Sequence, residues 1–278
     1  MASQAPPLFT LPIAATPPST AAGSLVATSP HPGVYLLTFS APPDNRLTTA
    51  FTATVLRALD TLEFAHPPGV VVTTSALPKF FSNGLDLAHA AATPGFWSAS
   101  LYALLRRFLT YPHPTVALLN GHAFAGGLMW AMAHDYRVMN PARGYACLNE
   151  LDFGAPLKPA MSAVFRDKCA APAYRALVLE ARRFGGPEAL AAGVVDAVGG
   201  LDEVLRLVDD RKLVDKGKSG IYGVMKAEMY RMTIGYLDGH DVEEERQARL
   251  ADAEERRIAD GKRRAREDAA GSSSKARL

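Results

Sequence analysis

The sequence predicts an α/β fold built on a parallel sheet, and three observations carry that prediction. From residue 33 onward, segments typical of strands alternate with segments typical of helices. Two of the strand-like segments, residues 69–74 and 115–119, show no alternation of apolar and charged residues, as is typical of strands buried on both faces of a parallel sheet. The chain has 278 residues, 48% of them apolar, which is enough to bury a large core.

The first half of the chain alternates clearly once its opening segment is set aside. Residues 1–30 are rich in Pro, Ala, Ser and Thr without a period, so we expect a poorly ordered N-terminal segment. The predicted core covers residues 31–200. It opens with a strand at 34–39, and a helix with apolar residues at helical spacing follows at 47–64.

The second half of the core repeats the alternation with shorter strands. The apolar strand at 115–119 leads through a glycine pair into a helix that begins at residue 128. Further predicted helices cover 96–109, 160–184 and 187–192, and short strands cover 136–139 and 145–148.

Residues 201–278 read as a helical C-terminal region that ends in a flexible targeting tail. They hold 34 of the 58 charged residues of the chain. Residues 220–236 carry a broad apolar face that we expect to pack on another surface. Residues 241–266 are charged nearly all round, which is typical of a solvated helix.

Composition excludes several classes of protein. A net charge of +2 does not by itself indicate a nucleic-acid partner. Two cysteines, Cys147 and Cys169, cannot form a disulfide framework and lack metal-ligand spacing. No run of 18 apolar residues is present, so the sequence predicts no membrane span.

Two glycine-containing junctions each follow a predicted buried strand, at residues 79–87 and 120–127. Glycine lets the backbone turn tightly, and the first N–H groups of the helix at 128 have no acceptor within the helix. One N–H from each junction would hold a developing oxyanion. The second junction is not a phosphate loop, because no Lys-Ser/Thr pair follows it, and it lacks the dinucleotide pattern Gly-x-Gly-x-x-Gly.

A carboxylate closes a third segment, residues 144–154. Glu150 lies in an apolar neighbourhood, where burial would raise its pKa and suit it to proton transfer near neutral pH. Asp152 would share a face with Glu150 on an extended segment and is the reserve candidate. A partly exposed loop glutamate is the alternative interpretation.

The three segments together, in this order and at these separations, resemble the crotonase (enoyl-CoA hydratase/isomerase) superfamily over residues 33–200. The resemblance implies a ββα spiral core, oxyanion-hole N–H groups at Asn83 and Gly126, and a catalytic glutamate at Glu150. The predicted substrate-binding residues lie around these positions: Phe81, Ser82, Gly84, Leu85, Asp86 and Met129.

One departure from the family pattern points to the reaction. Hydratases of the family carry a second glutamate where this chain has Met129, and a thioether cannot activate water. The resemblance is greatest to the monofunctional peroxisomal isomerases of the family. It implies Δ3,Δ2-enoyl-CoA isomerisation in fatty-acid β-oxidation by a homotrimer or a dimer of trimers. It also implies no metal or redox cofactor, since coenzyme A belongs to the substrate. His122 would either polarise the thioester or pack beneath the loop.

The last three residues, Ala-Arg-Leu at 276–278, fit the small–basic–leucine pattern of a peroxisomal address, so we expect the peroxisomal import receptor as a partner. Two other interpretations remain open. One is a different crotonase reaction, such as hydration or dehydration of an unusual acyl-CoA. The other is a non-catalytic or RNA-binding relative that uses the basic run at 262–266, although acidic residues flank that run as on a solvated helix.

Overall fold

A computed structural model describes the backbone of residues 6–275 and the side chains of residues 6–267. The chain divides into two units, one ending at Leu237 and one beginning at Asp238. All ten strands that the structure describes belong to the first unit. They are β1 (Phe9–Ile13), β2 (Gly23–His31), β3 (Val34–Ser40), β4 (Val70–Ser75), β5 (Phe80–Ser82), β6 (Thr115–Leu119), β7 (His122–Phe124), β8 (Tyr136–Met139), β9 (Ala146–Cys147) and β10 (Ala197–Val198).

These strands form one large sheet and one small sheet. The seven-stranded sheet has the order β1-β2-β3-β4-β6-β8-β10, antiparallel from β1 to β3 and parallel from β3 onward. Every residue of β4 and β6 is buried, which confirms the prediction of two strands buried on both faces. The small sheet, β5-β7-β9, is parallel throughout.

Helices connect and cover these strands. They are α1 (Thr49–Ala65), α2 (Leu87–Ala92), α3 (Ala103–Thr110), α4 (Gly126–Ala133), α5 (Glu150–Phe153), α6 (Pro159–Lys168), α7 (Ala171–Leu179), α8 (Gly186–Ala191), α9 (Leu201–Asp210), α10 (Leu213–Gly217), α11 (Tyr222–Met229), α12 (Arg231–Asp238) and α13 (His240–Lys275), with a π-helical segment at Trp97–Tyr102 before α3. The predicted helix at 160–184 is two helices, because Pro172 starts α7 afresh in its first turn.

The expectation of a poorly ordered segment over residues 1–30 is wrong for residues 9–13, which form β1, and for residues 23–30, which belong to β2. Leu25 and Ala27 are fully buried while their neighbours are half-buried, so β2 does alternate with the period of a strand. Small residues and Pro30 weaken that pattern in the sequence. Tertiary pairing with β3 decides the structure here.

The core centres on the indole of Trp130 in α4. Four phenylalanine rings surround it with centroids 5.2–5.8 Å away, namely Phe39, Phe51, Phe81 and Phe108. All five side chains are fully buried. This cluster holds α4 against the large sheet, so the helix that leaves the second glycine junction has a fixed position.

The apolar face expected to pack over residues 220–236 is exposed within the described chain: Val224, Met225 and Met229 each expose 63–69% of their surface. The buried side of α11 instead carries Lys226, whose Nζ lies 2.8 Å from Oδ1 of Asp135. Asp135 also accepts the backbone N–H of Thr115 at 2.8 Å. This buried ion pair orients α11, because leaving either charge unpaired would be costly.

The second unit is dominated by α13, whose described side chains are charged nearly all round, as predicted. Ion pairs between residues three apart support it, including Arg257–Glu254 and Arg263–Asp260. Among residues 6–275, we find no helix with the length and apolar character needed to cross a bilayer.

Candidate active site

The small parallel sheet brings the three predicted functional segments to one place. Asn83 and Ala125 directly follow the carboxyl ends of β5 and β7, and Asn149 lies two residues after the carboxyl end of β9. These residues line a cavity of about 400 Å³, and Leu85, Gly126, Met129 and Glu150 line it with them. The remaining lining residues are Arg46, Leu87, Trp97, Phe153, Ala155, Pro156 and Met161.

The two glycine junctions pack backbone against backbone. A Cβ added at Gly84, where φ is +83°, would lie 2.9 Å from the Phe124 carbonyl oxygen and 3.0 Å from the Gly126 nitrogen. A Cβ at Gly127 would lie 2.5 Å from the Ser82 carbonyl oxygen. Only glycine allows this approach, so the sequence pattern at both junctions follows from their mutual contact.

The second junction ends at the N-terminus of α4. Ala125 adopts a strained backbone conformation, with φ 48° and ψ −124°, and its carbonyl accepts the N–H of Met129 at 3.0 Å. Gly126 is therefore the first residue of the helix, and its N–H has no acceptor among the described residues. The positive end of the helix dipole adds to this donor.

The first junction contradicts the predicted role of Asn83. The Asn83 N–H already donates to the carbonyl of Asp44 at 3.0 Å, and its side-chain Nδ2 donates to Asp44 Oδ2 at 2.7 Å. Two residues further on, the N–H of Leu85 has no acceptor within the part of the chain that the structure describes. The chain reverses at Gly84, so the free N–H follows that glycine and does not precede it.

Glu150 is the one predicted acid–base group that faces the cavity. Its side chain follows β9 as the first residue of α5, is 7% exposed, and has no partner for Oε2 among the described groups. Burial raises the pKa of Glu150 to about 7, and a hydrogen bond to its own backbone offsets only part of that rise. A carboxylate in this environment suits proton abstraction near neutral pH.

The two other candidates, Asp152 and His122, do not line the cavity with Glu150. Residues 150–153 are helical, not extended, so a step of two residues turns the side chain by about 200°. Asp152 is consequently exposed and does not line the cavity. His122 begins β7, at the opposite end from the cavity, where it stacks on Tyr145 and accepts its N–H at 3.2 Å. Packing is thus its observed role.

Of the six predicted substrate-binding residues, Leu85 and Met129 line the cavity and the other four support the junction. Phe81 is fully buried in the aromatic cluster around Trp130. The hydroxyl of Ser82 donates to the Asn45 carbonyl at 2.7 Å and accepts the Gly84 N–H. Gly84 provides the close approach, and Asp86 caps α2 by accepting the His89 N–H at 3.0 Å.

The sequence did not single out the apolar wall of the cavity. Leu87, Trp97, Phe153 and Met161 come from four separate helical segments, and only the fold brings them together. Arg46, from the loop before α1, was also missed. The isolated bridge between Leu47 and Leu85, which brings the neighbouring Arg46 to the cavity, exists only in the folded chain.

The sequence is similar to one family of known proteins and to named members of it. The enoyl-CoA hydratase/isomerase family matches residues 30–257. A relative from Arabidopsis thaliana, "Enoyl-CoA delta isomerase 2, peroxisomal", is 33% identical over 219 residues, which cover 73% of this chain and 91% of the relative. A second from the same plant, "Enoyl-CoA delta isomerase 3", is 31% identical over 71% of this chain and 88% of its own length.

Among solved structures, human mitochondrial delta3-delta2-enoyl-CoA isomerase superposes with a TM-score of 0.67. The two chains are 25% identical, and the match covers 79% of this chain and 88% of the human one. The architecture described above is therefore the fold of that protein.

The raised pKa of Glu150 predicts a stability effect of definite sign. The folded protein holds this proton up to about pH 7, whereas the unfolded chain releases it near 4.5, so Glu150 reduces stability as pH rises through that window. Glu150→Gln is therefore expected to be more stable than the wild type at pH 8, by at most on the order of 3 kcal/mol, with the gain shrinking toward pH 5.

Urea unfolding at pH 5 and pH 8 measures this difference. Glu180→Gln, at an exposed position after α7, is the matched control and is expected to shift stability equally at both pH values. A Glu150→Gln effect that does not change between the two pH values would contradict the perturbed carboxylate.

Proposed function

The chain belongs to the enoyl-CoA hydratase/isomerase family, and on that basis we propose that it is an acyl-CoA isomerase of fatty-acid β-oxidation. The proposed reaction moves the double bond of a 3-enoyl-CoA to give the trans-2-enoyl-CoA. The observation that carries this proposal is a single buried carboxylate, Glu150, on an apolar cavity with an elevated pKa.

Met129 favours isomerisation over hydration. Met129 lies on α4, is 1% exposed and lines the same cavity. The family resemblance puts the second glutamate of hydratases at this position. A methionine can neither orient nor deprotonate water, so the site is suited to a reaction that needs one proton carrier.

A proton shuttle by Glu150 completes the reaction without another group. The thioester acidifies C2 of the substrate, and the Glu150 carboxylate removes that proton while the electron pair forms a dienolate. The same carboxyl group then returns the proton to C4, which leaves the double bond between C2 and C3. Since the thioester itself supplies the activation, the proposed reaction needs no metal or redox cofactor.

The dienolate places negative charge on the thioester oxygen, and we assign its stabilisation to the N–H groups of Leu85 and Gly126. Three observations support the assignment: both groups lack an acceptor in the described chain, both line the cavity, and the two junctions are in backbone contact. The start of α4 adds the favourable end of its dipole. The apolar side chains of Leu87, Trp97 and Met161 suit the fatty-acyl chain.

Replacing the base tests the proposal. Glu150→Gln keeps the shape of the side chain but cannot accept the C2 proton, so turnover of 3-enoyl-CoA is expected to fall by about 10²–10⁴-fold. Formation of the trans-2-enoyl thioester, followed by absorbance, measures it. Asp152→Asn removes a carboxylate two residues away that points to solvent, and it is expected to change turnover by less than about threefold.

Two results would contradict the proposed function. One is a Glu150→Gln enzyme that keeps more than about a tenth of wild-type turnover, since that is less than 1.4 kcal/mol in the barrier. The other is a wild-type enzyme that hydrates 2-enoyl-CoA faster than it isomerises 3-enoyl-CoA.

We also propose that the protein acts in the peroxisome. The name of one plant relative states that location, and the address predicted at residues 276–278 agrees, although it lies outside the described residues. A fluorescent protein fused to the N-terminus is expected to enter peroxisomes and to become cytosolic when residues 276–278 are removed. Unchanged localisation after that deletion would refute the predicted address.

A further inference from the structure

The guanidinium group of Arg46 contacts the first glycine junction from the side of the cavity. Its Nη1 donates to the carbonyl oxygen of Leu85 at 3.0 Å, and its Nε donates to Oδ2 of Asp44 at 3.0 Å. The side chain lines the cavity and is one-third exposed. Arg46 thus bonds directly to the residue whose N–H is assigned to the oxyanion.

The loop before α1 fixes both peptide groups that flank the α-carbon of Leu85. On one side, the N–H of Leu47 donates to the Gly84 carbonyl at 2.9 Å, and this carbonyl belongs to the same peptide group as the Leu85 N–H. On the other side, Arg46 holds the Leu85 carbonyl. With both planes held, the direction of the Leu85 N–H is set.

Asp44 accepts hydrogen bonds from both Arg46 and Asn83. Its carboxylate accepts from Arg46 and from the Asn83 side chain, and its backbone carbonyl accepts the Asn83 N–H. The Asp44 side chain is only 12% exposed. Arg46 is therefore held at a defined position by a buried partner and is not a mobile surface cation.

We propose that Arg46 is a positioning residue for the oxyanion hole: it holds the Leu85 carbonyl so that the Leu85 N–H points at the thioester oxygen. This inference rests on the proposed function, because the oxyanion is the one formed in that reaction. Arg46 acts through Leu85 and does not itself carry the proton.

The role requires arginine. Two N–H groups in one planar fork reach Asp44 and Leu85 simultaneously, whereas the single ammonium of a lysine lacks that fixed geometry. Arg46→Met keeps the apolar stem and removes both bonds, and Arg46→Lys keeps the charge and loses the fork.

A contact between Arg46 and a phosphate of coenzyme A is the competing explanation, because the group lies on the cavity wall and is partly exposed. The two roles separate kinetically. Loss of a phosphate contact raises KM for CoA thioesters only, whereas a misplaced oxyanion donor lowers kcat for any thioester.

The test compares a 3-enoyl-CoA with the same acyl group on pantetheine, which has no phosphate. Arg46→Met is expected to lower kcat by about 10–100-fold on both substrates, with KM changed by less than about threefold. Arg46→Lys is expected to recover only part of kcat. Arg57→Met removes an exposed arginine of α1 and is expected to match the wild type.

A second measurement does not depend on turnover. The infrared C=O stretch of a bound, ¹³C-labelled saturated acyl-CoA reports the hydrogen bonds to the thioester oxygen. It is expected to move to lower frequency in the wild type and to move less in Arg46→Met, while circular dichroism shows that the variant is folded. If Arg46→Met does not fold, the same kinetic and infrared measurements on Arg46→Lys decide whether Arg46 positions the oxyanion donor.

Three results would overturn the role of Arg46. They are a kcat within about threefold of wild type, a defect confined to KM for the CoA thioester, and an unchanged carbonyl shift in the variant. A wild-type enzyme that fails to isomerise 3-enoyl-CoA but still shifts the bound carbonyl contradicts the proposed function alone. The infrared comparison of the variants then still decides the role of Arg46.

Discussion

The close approach of two backbone turns is the constraint on which the whole site depends. Gly84 and Gly127 face the opposite junction with no room for a side chain, at distances of 2.5–3.0 Å from a hypothetical Cβ to backbone atoms. Substitution at either position would push the junctions apart. The two free N–H groups, at Leu85 and Gly126, lie one residue from these contacts, so their separation follows from the backbone packing itself.

The rest of the fold keeps this contact rigid. Trp130 and its ring of phenylalanines fix α4, and with it the second junction, against the large sheet. The loop before α1 fixes the first junction by hydrogen bonds from Leu47 and Arg46. In the proposed reaction, donors held in advance would need no reorganisation when charge develops on the thioester oxygen. Glu150 lowers the stability of the fold when it is charged, since its carboxylate is buried in a largely apolar cavity wall.

The sequence predicted those parts of the fold that depend on local patterns. The buried strands β4 and β6, the helix after the glycine pair and the position of Glu150 all have such patterns. Strands β1 and β2 did not, because their order comes from pairing, β1 with β2 and β2 with β3. The apolar face over residues 220–236 was expected to pack on another surface. The buried Lys226–Asp135 pair instead turns the α11 part of that face outward, and no local signal reveals a pair 91 residues apart. Asn83 was chosen for its place in a motif, but only the bond to Asp44 shows that its N–H is occupied.

The central claim is that two backbone N–H groups, those of Leu85 and Gly126, hold the thioester oxygen of the substrate. A crystal structure of the Glu150→Gln protein with a bound 3-enoyl-CoA tests it most directly. The thioester oxygen is expected within hydrogen-bond distance, about 2.7–3.2 Å, of both nitrogens. An oxygen bound to neither nitrogen, or held instead by the N–H of Asn83 or by His122, would contradict it.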